Sequence, residues 1–272
     1  MKHRRGTQER MPGPGTARAP SAPDRRLLHR HIQRFSQTGV LVVGDLILDH
    51  YVWGNVNRIS PEAPVPVVQV NSESLLLGGA ANVYNNIVSL GGRADLCGIV
   101  GNDADGRRLL KEFPAREHGR GGVLIDADRP TTRKTRVVTH NQQIVRFDVE
   151  RRTEIKASLQ RKIVRYVESR LREISCLIVS DYAKGVVTAS LMADLVRLAA
   201  LRRIPIVVDP KVEHFSYYKG VTVVTPNHLE AGQAAGVHAD DDKAISEAGE
   251  TIRPAGLPVR SCHERGARDE PL

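Results

Sequence analysis

Aromatic residues and cysteines are scarce in this chain, and both shortages argue against certain classes of protein. Only six Tyr, four Phe and one Trp occur among 272 residues, so no basic surface interleaved with base-stacking aromatics is visible and no nucleic-acid partner is expected. Cys97, Cys176 and Cys262 have no metal-ligand or Cys-x-x-Cys spacing, and their odd number suits the reducing cytoplasm. No apolar run reaches the length of a membrane span, so no membrane partner is expected either.

The positive charge of the chain is concentrated at its start. The formal net charge is +9, but residues 1–34 contain nine Lys or Arg and only two acidic residues, which leaves +2 for the remainder. We predict that this Pro-, Gly- and Arg-rich head, residues 1–36, is disordered because it has too little apolar surface to fold. A polybasic tether and an over-extended start, with Met11 or a later codon as the true beginning, are the two alternatives.

After the head, strand-like and helical patterns alternate over residues 37–252. Strands are predicted at 40–46, 94–100, 121–125, 176–180, 205–209 and 221–225, and helices at 80–90, 104–112, 154–173, 188–202 and 228–235. This alternation is typical of an α/β fold with a doubly wound, mostly parallel sheet. Residues 51–70 and 133–148 lack a helical period, and the prolines of the first segment exclude a central strand. These two segments are predicted to form a small separate β-sheet.

Polar residues and glycines follow the first buried strand. Asp45 comes directly after Val40–Val43, and Gly78 and Gly79 precede a helix with Asn82 in its first turn. Ligands of open α/β sheets lie beyond the carboxyl ends of the strands, and paired glycines let a ligand approach the backbone. The pattern therefore predicts a polyol-binding surface. A turn cap at Asp45 and an ordinary helix N-terminal residue at Asn82 are the alternatives.

Several ordered segments together resemble the ribokinase-like (PfkB) carbohydrate kinases, over about residues 39–252. Within this family, the chain is most similar to the bacterial kinases that phosphorylate D-glycero-D-manno-heptose 7-phosphate at the anomeric oxygen. Besides the Gly-Gly segment, the matching stretches are Arg58–Val67, Thr131–Arg136, Gln142–Asp148, Ser180–Gly185, Val208–Lys211 and Thr225–Glu230. The resemblance implies ATP and Mg²⁺ as cofactors, a sugar phosphate as substrate and the cytoplasm as location. It also implies that the small sheet is a lid over the sugar and the interface of a homodimer.

Basic residues of the lid are candidates for binding the substrate phosphate. Strand side chains alternate between faces, so Lys134 and Arg136 share one face and Arg133 takes the other. Arg binds phosphate bidentately, and Lys134 and Arg136 are therefore predicted as substrate ligands. Asp49 is a weaker candidate, because Asp49-His50-Tyr51 can simply begin the lid.

Further candidates follow the later strands. Asp181 and Lys184 come after strand 176–180 and are predicted to contact a hydroxyl and a phosphate, with a surface salt bridge as the alternative. Pro210 fixes the turn that directs Lys211 toward the nucleotide. Asn227 and Glu230, three apart on a helix, resemble the family's Asn-x-x-Glu motif, which orients triphosphate and Mg²⁺-bound water. Glu230 would thus hold the metal indirectly, through water, and a capping box is an equally simple reading of the pair.

The sequence contains no Gly-Ala-Gly-Asp, the motif that carries the general base in the resembling family. After Arg253 the helical pattern gives way to a polar, Pro-containing tail, residues 253–272, and one back-translation of this tail reads Thr-Arg-Gly when shifted by one base. We hypothesise a truncation or frameshift near codons 252–260, with the last part of the fold missing, no catalytic residue to name and impaired kinase activity. The alternatives are another PfkB-type sugar kinase, a catalytically dead sugar-binding or oligomerising remnant and, more distantly, nucleic-acid binding by the head.

Overall fold

The computed structural model describes residues 25–113, 119–139, 142–238 and 242–251. The chain divides between Arg34 and Phe35 into two compact units. The described part of the first unit is helix α1 (Arg25–Gln33). The structure therefore has a helix in part of the stretch predicted to be disordered, with Leu28 and Ile32 four residues apart on one face and both exposed. The rest of the predicted head, residues 1–24, and the predicted tail, residues 253–272, lie outside the described residues.

The second unit alternates strands and helices as the sequence predicts. Its strands are β1 (Gly39–Gly44), β2 (Leu46–Ile59), β3 (Pro66–Gly79), β4 (Arg93–Gly101), β5 (Gly122–Asp126), β6 (Thr132–Thr139), β7 (Gln142–Val149), β8 (Cys176–Ser180), β9 (Ile206–Asp209) and β10 (Val223–Val224). Its helices are α2 (Ala80–Ser89), α3 (Ala104–Glu112), α4 (Ala157–Arg170), α5 (Ala189–Arg202), α6 (His228–Ala235) and α7 (Asp242–Thr251), with 3-10 turns at Phe35–Gln37 and Val212–Tyr218.

Six strands form a parallel sheet in the order β10-β9-β8-β1-β4-β5. The buried run of β1 lies at its centre, and alternate side chains enter different cores. Leu41 and Val43 pack in a cluster with residues of α4 and α5, whereas Val42 packs in a second cluster with Tyr84 of α2 and Leu109 of α3. Each such aliphatic side chain stabilises the fold by roughly 1.5–3 kcal/mol on burial. Helices thus cover both faces, as the predicted doubly wound α/β fold requires.

The two predicted lid segments form a second sheet with the order β3-β2-β6-β7. Strands β2 and β3 form a long antiparallel hairpin, β2 and β6 run parallel, and β6 and β7 are antiparallel. Pro66 begins β3, an edge strand, where a missing N–H is tolerated. Because only Asp45 separates β1 from β2, the small sheet joins the main sheet at the carboxyl end of its central strand β1.

In the described parts of the chain, none of the helices combines the length and the apolar character needed to cross a membrane.

Candidate active site

The candidate site lies where the carboxyl ends of β1, β8 and β9 meet the small sheet. Three aspartates, Asp45, Asp181 and Asp209, end or follow these neighbouring strands. Their backbones are joined, since the Asp45 N–H donates to Ser180 O at 3.2 Å and the Asp181 N–H to Asp209 O at 3.0 Å. The topology thus brings together three residues that are 28 to 164 positions apart in the sequence.

Asp45 does not reach into this site as a sugar ligand. Its side chain is buried, with 1% of the residue exposed. Oδ2 accepts the backbone N–H groups of Tyr182 and Lys184 at 2.9 and 3.1 Å, and Oδ1 accepts that of Val186 at 3.1 Å. Burial raises the pKa of Asp45 despite these three donors. The prediction that Asp45 grips sugar hydroxyls is therefore corrected, because protein N–H groups already occupy its carboxylate.

Asp181 is engaged by protein groups in the same way. Its side chain is fully buried, Oδ1 accepts the Ala183 N–H at 2.8 Å, and Oδ2 lies 2.7 Å from both His214 Nδ1 and the Tyr218 hydroxyl. The prediction that Asp181 contacts a sugar hydroxyl is corrected on these grounds. The residue instead ties the loop after β8 to the 3-10 turn at Val212–Tyr218.

The paired glycines let protein atoms approach the backbone closely, and their predicted contact with the sugar stays a prediction. A Cβ on Gly78 would overlap Oδ2 of Asp49, and a Cβ on Gly79 would overlap the carbonyl oxygen of Asp45. Gly79 also has φ +57° and ψ −137°, a conformation open essentially to glycine alone. Asn82 is exposed on the first turn of α2, which begins directly after these glycines. The absence of a side chain at Gly78 thus leaves room for the carboxylate of Asp49, near the start of β2. Asp49 is the weaker candidate of the sequence prediction.

One face of the small sheet collects charge beside Asp49. In the β2–β6 register, Asp49 lies opposite Lys134 and Tyr51 opposite Arg136, so these side chains share a face. Arg136 forms an ion pair with Asp49 and lies 5.2 Å from the centre of the Tyr51 ring. Alternation alone could not have identified Asp49, because the register between β2 and β6 decides which side chains of the two strands share a face.

Arg133 takes the opposite face, as the alternation predicts. Its guanidinium forms a 2.7 Å ion pair with Asp105 at the start of α3. It therefore links β6 to the helical layer and does not contribute to the charged face.

Lys134 reaches from this face toward the loop after β8. Its Nζ lies 5.4 Å from the centre of the Tyr182 ring, a cation–π distance. Burial, and then the charge of Lys184, lower the pKa of Lys134. Burial raises the pKa of Tyr182 to about 12, so its hydroxyl stays protonated at neutral pH. Lys184 is itself buried and forms an ion pair with Glu150. A salt bridge is the alternative that the sequence left open to a phosphate contact by this residue. Lys134 thus lies against the Tyr182 ring, and the Lys184–Glu150 pair is near enough for the Lys184 charge to act on Lys134.

The predicted nucleotide residues lie together at the end of β9. Asn227 and Glu230 form a complete capping box, in which Asn227 Oδ1 accepts the Glu230 N–H at 2.9 Å and Glu230 Oε2 accepts the Asn227 N–H at 3.0 Å. Lys211 Nζ lies 3.8 Å from Glu230 Oε1. Burial, and then the charge of Glu230, raise the pKa of Asp209 to about 6. The carboxylate of Glu230 therefore lies close enough to disfavour the charged form of Asp209.

Replacing Asn227 tests how much its side chain contributes to stability as the N-cap of α6. Asn227→Ala should lower the free energy of unfolding by about 1–2 kcal/mol, because the Glu230 N–H loses its acceptor. Asn227→Ser should recover most of that loss, since serine caps well. Chemical denaturation measures both variants. Equal stability of the alanine and serine variants would contradict the cap.

Asp209→Asn should stabilise the protein at high pH. The folded pKa of about 6 exceeds the ordinary value of 3.8, so the folded state binds the proton more tightly. The stabilisation from that proton is complete below about pH 4 and is lost as the pH rises through about 6. At pH 8 the asparagine variant should be more stable by roughly 1–3 kcal/mol, and the difference should vanish near pH 4. Partly exposed Asp194→Asn, on α5, is the control, and a pH-independent difference for Asp209→Asn would contradict the burial argument.

Comparison with known proteins gives the family. The family model for pfkB family carbohydrate kinases matches residues 37–260. The bifunctional protein HldE of Geobacter sulfurreducens is 47% identical over 212 residues, covering 78% of this chain and 43% of that protein. The bifunctional protein HldE of Helicobacter acinonychis is 42% identical over 231 residues, covering 84% of this chain and 50% of that protein. The chain therefore spans about half or less of the length of these relatives.

Solved structures share the fold. Phosphofructokinase-2 of Escherichia coli, in complex with substrates and products, matches with a TM-score of 0.60 and 19% identity, covering 79% of this chain and 68% of that one. Arabidopsis thaliana ribokinase, complexed with ribose and ATP, matches with a TM-score of 0.58 and 14% identity, covering 82% and 71%. With the family match across most of its length, the chain belongs to the pfkB family of carbohydrate kinases, a family of phosphotransferases.

Proposed function

We propose that this protein binds ATP and a sugar phosphate, D-glycero-D-manno-heptose 7-phosphate, for phosphoryl transfer to the anomeric oxygen. The substrate class is supported by the Lys134 ammonium, which lies against the Tyr182 ring, opposite Asp49 in the register of the small sheet, and within reach of the charge of Lys184. A carboxylate accepts from sugar hydroxyls, and ammonium groups bind a phosphate dianion. Repulsion between the two lysines would be relieved by that dianion. Resemblance at Arg58–Val67 and Gln142–Asp148 supports the heptose in particular.

The end of β9 fits the nucleotide and its metal. Among the residues that the structure describes, no group of three or more His, Cys, Asp or Glu could hold a metal ion by itself. Mg²⁺ commonly takes only one or two carboxylates and is otherwise held by water and substrate phosphates. Glu230, and beside it Asp209, would hold such a hydrated ion, and Lys211 would contact the triphosphate. When bound, Mg²⁺ would neutralise charge on the transferred phosphoryl group.

The small sheet is also the proposed dimer interface. It exposes large apolar side chains that a monomer would leave in water, namely Trp53, Ile59, Val70, Leu76, Ile144, Val145, Phe147 and Val149. Exposed apolar patches of this kind mark interaction surfaces. Unpaired Cys97 and Cys176 agree with the proposed cytoplasmic location.

Ligand binding is the readout that tests this proposal. Thermal unfolding should be measured with heptose 7-phosphate, unphosphorylated heptose, fructose 6-phosphate and Mg-ATP. At 100 times its dissociation constant a ligand adds about 2.7 kcal/mol, which raises Tm by roughly 5–10 °C at this size. Heptose 7-phosphate should give the largest shift of the three sugars. An equal response to unphosphorylated heptose would contradict the phosphate site. Stabilisation by sugar phosphate but not by Mg-ATP would support a non-catalytic sugar-binding module instead.

A further inference from the structure

The loop after β8 has an unfavourable backbone, and the buried side chains of Asp45 and Asp181 accept its N–H groups. Ala183 has φ +52° and Gly185 has φ +90°. A non-glycine residue at positive φ costs of the order of 1 kcal/mol and persists only where its surroundings enforce it. The N–H groups of Tyr182, Lys184 and Val186, at every second position of this loop, donate to Asp45. Asp45 therefore provides the acceptors that make this loop conformation favourable.

The shape of the loop decides where its side chains lie. The Tyr182 ring packs against Lys134 of the small sheet. Lys184 forms an ion pair with Glu150, and its charge is close enough to Lys134 to lower the pKa of Lys134. Without the Asp45 acceptors, the loop could relax from positive φ, and Tyr182 and Lys184 would move away from the charged face. The geometry thus connects a carboxylate at the end of β1 to groups at the candidate phosphate site.

We propose that Asp45 is a positioning residue, which holds loop 182–186 so that Tyr182 and Lys184 complete the site for the anionic sugar without Asp45 touching the sugar. This inference rests on the proposed function. It assigns a role to Asp45 that is different from the direct sugar contact expected from the sequence.

Asp45→Asn tests the inference with little change of volume. The amide keeps one acceptor oxygen but turns its NH₂ group toward N–H donors of the loop, so some of the hydrogen bonds from Tyr182, Lys184 and Val186 are lost. We expect amide hydrogen exchange at Tyr182, Lys184 and Val186 to become at least about tenfold faster. We also expect the affinity for heptose 7-phosphate to fall by at least about tenfold, while the affinity for Mg-ATP stays unchanged.

Asp95→Asn is the matched control. Asp95 is another buried aspartate of the same sheet, near the start of β4, and it accepts from the Gly119 N–H and from Arg170. It should lose comparable stability without losing sugar-phosphate affinity. Gly185→Ala is a second test, because a Cβ there would overlap the Thr153 carbonyl oxygen at positive φ. It deforms the same loop with Asp45 intact and should reproduce the loss of affinity.

The outcomes separate the possibilities. Lost affinity with unchanged loop exchange in Asp45→Asn would show a direct ligand and overturn the positioning role. Unchanged affinity in a folded Asp45→Asn variant, or an equal loss in Asp95→Asn, would overturn it too. Wild-type protein that binds none of the sugar phosphates would instead overturn the proposed function. In that case the exchange rates alone would still decide whether Asp45 holds the loop.

Discussion

Replacing Gly79 with alanine should lower the free energy of unfolding by about 3 kcal/mol or more, and Tm by roughly 6–12 °C. The first cause is the backbone, since φ +57° with ψ −137° is strained for any residue with a Cβ. The second is the overlap of that Cβ with the Asp45 carbonyl oxygen, which accepts the Ala80 N–H at 3.0 Å and joins β1 to α2. Differential scanning calorimetry measures the change.

Gly91→Ala is the matched control for this result. Gly91 also has positive φ, +82°, but a Cβ there meets no atom within 4 Å. It should therefore show the backbone cost alone, about 1 kcal/mol. If both variants lost the same stability, the overlap of the added Cβ with the Asp45 carbonyl oxygen would not contribute to the loss, and this prediction would be contradicted.

Replacing Lys134 with alanine should weaken the binding of heptose 7-phosphate by roughly 10- to 100-fold. A hydrogen bond to a charged group contributes about 1.5–3 kcal/mol, and the ammonium of Lys134 lies on the charged face beside Asp49. Stability should stay the same or increase, because burial and Lys184 disfavour this charge in the folded state. Calorimetric titration and denaturation measure the two effects separately.

Lys111→Ala, on the exposed side of α3, is the control for loss of charge alone. It should change the affinity by less than twofold, since exposed charges are screened by salt (roughly 10 Å Debye length at 0.1 M). An equal loss of affinity in both variants would mean that net charge, and not a contact by Lys134, attracts the sugar phosphate.

The order of elements could be predicted because the buried runs are unambiguous. Val40–Val43 and Leu177–Val179 are uninterrupted apolar segments that only the centre of a sheet can bury, and the structure places both there. The small sheet was predictable for a different reason. Residues 51–70 lack a helical period, which argues against a helix, and their prolines argue against a central strand. The alternation of Arg133, Lys134 and Arg136 also predicted correctly which face each takes.

The roles of Asp45 and Asp181 could not be predicted in this way. A carboxylate at the end of a strand looks the same in sequence whether it faces a ligand or backbone N–H groups. The donors that occupy Asp45 lie 137 to 141 residues away, and nothing in the local sequence indicates them. Likewise, the two partners of Asp181 Oδ2 come from the 3-10 turn at Val212–Tyr218, for which the sequence gives no clear signal. Long-range hydrogen bonds thus decide between a ligand and a structural role.

The paired glycines illustrate the same limit. Their sequence predicts a close approach but does not tell what approaches. The structure shows Asp49 and the Asp45 backbone in those places. Asp49 thereby becomes the carboxylate that we propose for the sugar.

The structure of the complex with heptose 7-phosphate is the measurement that tests this account most directly. We predict the phosphate within hydrogen-bonding distance of Lys134, a sugar hydroxyl on Asp49, and the Asp45 carboxylate still bound to the N–H groups of loop 182–186. Sugar hydroxyls bound to Asp45 with that loop displaced, or a phosphate bound away from the charged face of the small sheet, would contradict it.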